Sequence, residues 1–211
     1  MRTFLVLLLV AGCASPPETG DSDGSDTDGP VDTDVEGPAA TGCYDVPIRL
    51  SGGLGADAFT AAADGAIAEI VHGEQPSGPA AWHVDTALSI EAIHPQFEAL
   101  VTLTDVATGE MISGLGGVSD LNHGFFTLVA TGECSGTYVG YRALLDDVVP
   151  ETEDLATDIC PLEGREVDVT WTVTDLVDDR AAETTLRVVL ALDETPGEDA
   201  LASDAALCAA Y

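Results

Sequence analysis

The sequence predicts a mainly β chain: an antiparallel β-sandwich with one or two short helices, placed after a disordered acidic N-terminal tether. Three observations predict it. Apolar and polar residues alternate strictly through Val167–Val173 and recur with the same period through Leu186–Leu192, the pattern of half-buried strands. Shorter runs of similar kind recur upstream between Gly-rich turns, as in sandwiches of short strands. Residues 14–42, by contrast, hold eight acidic groups, no basic one and hardly any large apolar side chain. Such a stretch cannot bury enough surface to offset its chain entropy.

The chain opens MRTFLVLLLVAGCAS, with Arg2 as a positive start and an unbroken apolar run of eight residues from Phe4 to Ala11. A helix crossing the hydrocarbon core needs about 20 apolar residues, so this run has the length of a signal-peptide core instead. Val10-Ala11-Gly12-Cys13 resembles the lipobox of bacterial lipoproteins: an aliphatic residue, two small ones and a cysteine. The resemblance implies that residues 1–12 are a signal peptide and that Cys13 is the lipid attachment site. It implies that diacylglycerol is joined to the Cys13 thiolate, that the chain is cut before it, and that, as is usual in that family, the new amino terminus is acylated. Two or more acyl chains give stable anchoring where one holds marginally. The implied partner is the lipid bilayer, reached through acylated Cys13, and the implied place is the bacterial cell envelope. Ala14, in place of the Asp that often marks inner-membrane retention in that family, points to the outer membrane.

Net charge is −32, from 38 acidic and 6 basic residues, all six of them Arg. Such a field repels phosphate backbones, so the sequence predicts no nucleic-acid partner, and it disfavours adsorption to an anionic membrane. From Cys43 onward there are still 30 acidic residues against five Arg. That composition fits either a saline habitat, where screening relieves self-repulsion, or an acidic surface from a GC-rich genome.

As a flexible coil, residues 14–42 span roughly 30 Å, and more because like charges extend them. Within them, Asp21, Asp23, Asp26 and Asp28 invite a calcium reading. A calcium loop needs its Gly at the sixth position and a closing Glu at the twelfth, and this stretch supplies neither. A solvated spacer is expected.

Residues 43–211 have the size of one domain. Four cysteines lie within them, Cys43, Cys134, Cys160 and Cys208; an even count in an exported chain implies two disulfides, with three connectivities open. The expected pairing is Cys134–Cys160, closing a hairpin-sized loop, with Cys43–Cys208 joining the ends of the domain. Neither a CxxC pair nor an HxxxH pair favours zinc.

In order along the domain, strands are expected at Tyr44–Leu50, Trp82–Ile93, Phe97–Thr104, Met111–Ile112, Phe125–Thr131 and Thr137–Leu144. Pro47 demotes the first to an edge strand, and Asp105–Gly109 reads as a turn. The last two strands form a hairpin across the polar connector 175–183, with Trp171 inward. VDVTWTVTD followed by a loop and TTLRVVLAL resembles the closing strands of bacterial immunoglobulin-like domains, which implies an immunoglobulin-like sandwich. Phe59, Ala62, Ala63, Ala66, Ile67 and Ile70 follow helical spacing, with Asp57 as N-cap. A second short helix is expected within Asp199–Cys208.

The sequence predicts no catalytic residue, no cofactor and no metal site. His72, His83, His94 and His123 stand apart, none at i+2 or i+4 from another; His83 and Asp85 share one strand face. Ser51–Gly55 and Ser113–Gly117 are Gly-rich, without the Lys of a phosphate loop, and read as turns. No GxSxG elbow occurs. The predicted function is a membrane-anchored, non-enzymatic binding or structural domain. The alternatives are an envelope hydrolase working through paired carboxylates and a calcium-assisted adhesin.

Overall fold

Alternation of side chains about the backbone writes the two central strands. In β5 (Gln96–Asp105), Phe97, Ala99, Val101, Leu103 and Asp105 are buried; in β9 (Glu166–Asp175), Val167, Val169, Trp171, Val173 and Asp175 are. The two strands pair antiparallel over their whole length. On the other edge of β9 runs β10 (Ala181–Leu192), also antiparallel, so the expected closing hairpin forms. Its second strand begins at Ala181, five residues earlier than the apolar run alone suggests. The computed structural model describes residues 42–75, 78–113, 123–145, 159–195 and 203–210, all within the unit Pro38–Tyr211. The signal segment, Cys13 and nearly all of the tether lie outside the described residues.

Among the described residues, seven further strands complete a curled mixed sheet: β1 (Arg49–Leu54), β2 (Thr60–Ala61), β3 (Ala66–Gln75), β4 (Gly78–Glu91), β6 (His123–Thr127), β7 (Val129–Gly132) and β8 (Ser135–Leu144). Beyond β10 comes β3, then β4. The long β4 changes partner along one edge: its first half pairs with β3 and its second half with β1, while β8 follows its other edge. At the far side β6 pairs with β5, and the chain passes at once into β7, which pairs with β8. One continuous segment thus links the two flanks of the curl.

Trp171 is fully buried at the centre. Its indole N–H donates to Thr86 Oγ1 on β4 at 3.3 Å, and that hydroxyl donates to the Tyr141 carbonyl on β8 at 2.8 Å. The Tyr141 hydroxyl donates across the core to the Ala99 carbonyl on β5 at 3.0 Å. Burial pushes the Tyr141 phenol pKa well up, so the group stays a neutral donor. Two glycines permit this packing. A Cβ on Gly52 would lie 2.3 Å from the Trp171 ring, so β1 crosses the indole only because residue 52 has no side chain. Gly140 holds φ 66° at the β8 bulge, opposite the register shift between Thr86 and Leu88.

Several expectations are corrected. Residues 59–70 form no helix: β2 occupies Thr60–Ala61, Gly65 turns the chain at φ 84°, and β3 starts at Ala66. Beyond Gly65 the burial period is two, with Ala68 and Ile70 inside and Ile67 58% exposed. The apolar spacing satisfied a helix by coincidence, and pairing with β10 and β4 decided for strand. That same segment runs parallel to β10, so the sheet is mixed and not purely antiparallel. Tyr44–Pro47 is not strand, consistent with the missing Pro47 N–H, and β1 runs through Gly52 and Gly53, which read as part of a turn, to end at Leu54. The expected C-terminal helix is present as α1 (Asp204–Cys208), capped by Ser203 Oγ accepting from the Ala206 N–H.

The disulfides differ as well. Cys43 pairs with Cys134, and Cys160 with Cys208, at Cα separations of 6.2 and 5.5 Å. Cys43 and Cys134 each precede a strand, β1 and β8, that flanks the same end of β4; Cys208 closes α1 against the 3-10 turn at Cys160–Leu162. The loops span 91 and 48 residues, each worth about 4 to 5 kcal/mol on the chain-entropy estimate.

Mass spectrometry of an unreduced digest should find Cys43–Cys134 and Cys160–Cys208 peptides. Gly52→Ala should destabilise the domain by about 1–3 kcal/mol through overpacking against Trp171. Gly42→Ala, where a Cβ meets nothing within 4 Å, should leave the urea midpoint unchanged.

Candidate functional site

The phase of β9 carries Asp175, its last residue, to the inner side, where it is fully buried. A buried carboxylate needs donors, and four converge on it. Val177 N–H donates to Oδ1 at 2.9 Å, His94 N–H to Oδ2 at 3.0 Å, and Arg180 Nη2 to Oδ2 at 3.2 Å. The fourth is His94 Nδ1, 2.8 Å from Oδ2. Asp178, in the turn that follows, accepts from Arg180 Nε at 2.7 Å and lies 3.9 Å from His94 Nδ1. Burial pushes the Asp175 carboxyl up, but the His94 and Val177 backbone N–H groups, followed by the His94 ring, outweigh it. The carboxyl is held below the ordinary aspartate range.

The same groups hold the entrance of the domain. Tyr44 stacks on the His94 ring with centroids 3.9 Å apart, and Arg180 Nη1 donates to the Val46 carbonyl at 2.8 Å. Cys43 is bonded to Cys134, whose carbonyl accepts from the Ala92 N–H at 2.8 Å. Ala92 at φ 60° and Asp179 at φ 58° take the left-handed conformation that non-glycine residues rarely adopt. The first turns the chain out of β4 so that His94 reaches Asp175.

His94, Asp175 and Asp178 offer three ligand atoms within 4.8 Å of one another, a spacing that would suit a divalent cation. Arg180 argues against that use. Its guanidinium already pairs with both carboxylates, and a metal would have to displace it. The arrangement is an ion-pair clamp on residues 43–46.

Asp105 repeats the design at the other end of the β5–β9 pair. It too ends a strand facing inward, accepts from the Ala107 and Thr108 N–H groups at 2.8 and 2.9 Å, and takes Arg165 Nη1 at 3.0 Å. The Thr108 N–H is the largest influence on its pKa, and with Arg165 it holds the carboxyl low despite burial. In register, Asp175 faces Phe97 and Asp105 faces Val167, which puts these two carboxylates roughly 26 Å apart. That is far beyond the 5–9.5 Å of a glycosidase pair.

The four histidines go to four separate places. His72 stacks on Trp82 with centroids 4.2 Å apart, and His123 pairs with Glu98. His83 is buried, with Nε2 3.6 Å from Asp85 Oδ1, and Arg142 lies 3.9 Å from the same oxygen. The shared strand face thus brings His83 and Asp85 together. The clamp was not foreseen, yet a signal for it exists: Asp105 and Asp175 continue the inward phase of their strands and precede turns, so each had to be buried and capped.

Asp175→Asn should lower stability at pH 7 by about 2–4 kcal/mol. Because the folded pKa is depressed, this contribution is present above the unfolded value near 4 and is lost as pH falls through the folded pKa. In urea melts at pH 7, 4 and 3, the gap between wild type and variant should therefore narrow with falling pH.

No protein-family model and no curated protein sequence matches the chain. Among solved structures it is similar to the CooA pilin subunit from enterotoxigenic Escherichia coli, with a TM-score of 0.31 and 12% identity over 70% of this chain and 99% of that one. A likeness of that size carries no argument about function.

Proposed function

We propose that this chain is a lipid-anchored envelope protein displaying a non-enzymatic, immunoglobulin-like sandwich domain with a binding or structural role. The resemblance of Val10–Cys13 to a lipobox carries the reading. The pairing of all four later cysteines in two disulfides supports export independently of that motif. The crossing of β1 over Trp171 on β9 supports two layers facing across one core. Residues 14–42 act as the spacer between lipid and domain. At the domain entrance, the side chains with catalytic chemistry are engaged in holding the chain, which favours a display module over an enzyme.

In cells fed labelled palmitate, the wild-type chain should take up label and sediment with envelope membranes. Cys13→Ser should do neither, and a labelled, membrane-bound Cys13→Ser protein defeats the anchor reading. Protease shaving of intact cells then assigns the periplasmic or outer face.

A further inference from the structure

The disulfides fall one after the other along the chain, closing loops 43–134 and 160–208. Strands β1 to β7 lie inside the first loop; β9, β10 and α1 lie inside the second. Among the described elements, only β8 lies in the link between Cys134 and Cys160. Tension applied between the two ends of the chain crosses from Cys43 to Cys134 through sulfur, runs along β8, and crosses from Cys160 to Cys208 through sulfur. We propose that this connectivity makes the domain a tension-shielded module, in which pulling passes along one strand and leaves the rest of the sheet unloaded.

The physics follows from strand geometry. Within β8 the backbone is already near full extension, at about 3.3 Å per residue, so stripping it from β4 and β7 yields almost no length, and force gains little by doing so. The strands inside the loops cannot be drawn out while the disulfides last. The Arg180 and Tyr44 contacts at Val46 and His94 hold the chain beside Cys43, next to the point where tension enters. The inference rests on the tethered-display reading and gives it a mechanical consequence: tension between the anchored end and the C-terminal end of the domain bypasses the strands held inside the two loops.

The test is single-molecule stretching of the full chain carrying Cys13→Ser, with handles at its two termini. The residues before Cys43 add the same length under oxidised and reduced conditions. Oxidised protein should release no more than the link of about 26 residues, roughly 90 Å. Added reductant should raise the release about six-fold, to roughly 560 Å. Cys43→Ser with Cys134→Ser should add only the 91-residue loop, roughly 300 Å, because Cys160–Cys208 still holds. An oxidised chain that releases several hundred Å overturns the proposal, as does a double variant that releases the whole domain. Should the double variant fail to fold, the comparison of oxidised and reduced wild type decides alone. The handles replace the lipid, so failure here leaves the anchor reading standing, and failure of palmitate labelling leaves this measurement intact.

Discussion

The burial of one indole sets the terms for the rest of the sheet. Trp171 sits in the middle of β9 with no exposed surface, and an indole N–H left without a partner in a dry core costs about 1–3 kcal/mol. Thr86 is the partner, which fixes the point at which β4 passes over β9. The same hydroxyl must then find its own acceptor, the Tyr141 carbonyl, so β8 is positioned too. The bulge between Thr86 and Leu88, with Gly140 opposite, adjusts the register around this contact. Gly52 completes the arrangement by letting β1 lie against the ring. Curl, bulge and glycine are thus consequences of where one large amphipathic side chain was placed.

Charge is distributed by a comparable logic. The domain has five Arg against 30 acidic residues, and each Arg faces a carboxylate: Arg49 with Glu91, Arg142 with Asp85, Arg165 with Asp105, Arg180 with Asp175 and Asp178, and Arg187 with Asp168. Two of these pairs hold buried aspartates at opposite ends of the β5–β9 ladder. A buried carboxylate without a partner is destabilising by several kcal/mol, whereas an exposed one is handled by water and salt. With cations so scarce, their value is highest where water cannot reach. Among the described residues, most acidic side chains are exposed, where water and salt suffice, and they give the surface its negative charge.

How much of this could be read in the sequence depended on whether a feature is local. β5, β9, β10 and the turn at Asp105–Gly109 were legible because strict alternation and turn residues are short-range signals. Residues 59–70 were misread because Phe59, Ala62, Ala66 and Ile70 satisfy a helical period, while the deciding interactions come from β10, more than a hundred residues away. The clamp was half legible. The inward phase of Asp175 is written in VDVTWTVTD, but the arrival of His94, Tyr44 and Arg180 around it depends on the path of β4 and the entrance of the chain.

The disulfide pairing shows why such long-range features resist derivation. Nested bridges, Cys43–Cys208 with Cys134–Cys160, would close loops of about 165 and 26 residues; the observed serial bridges close 91 and 48. The entropic gain depends on the product of the loop lengths, and the two products differ by only about 20% once the inner bridge shortens the outer loop. The two schemes then differ by only about 0.2 kcal/mol on that estimate. Chain entropy therefore cannot choose between them, and neither can cysteine spacing. Strand register chooses. Arg49 and Ser135 both lie opposite Glu91 of β4, on its two edges, so the segments leading into β1 and β8 leave the sheet at the same end, and Cys43 arrives beside Cys134. The bond follows from the sheet, and the sheet follows from the packing around Trp171.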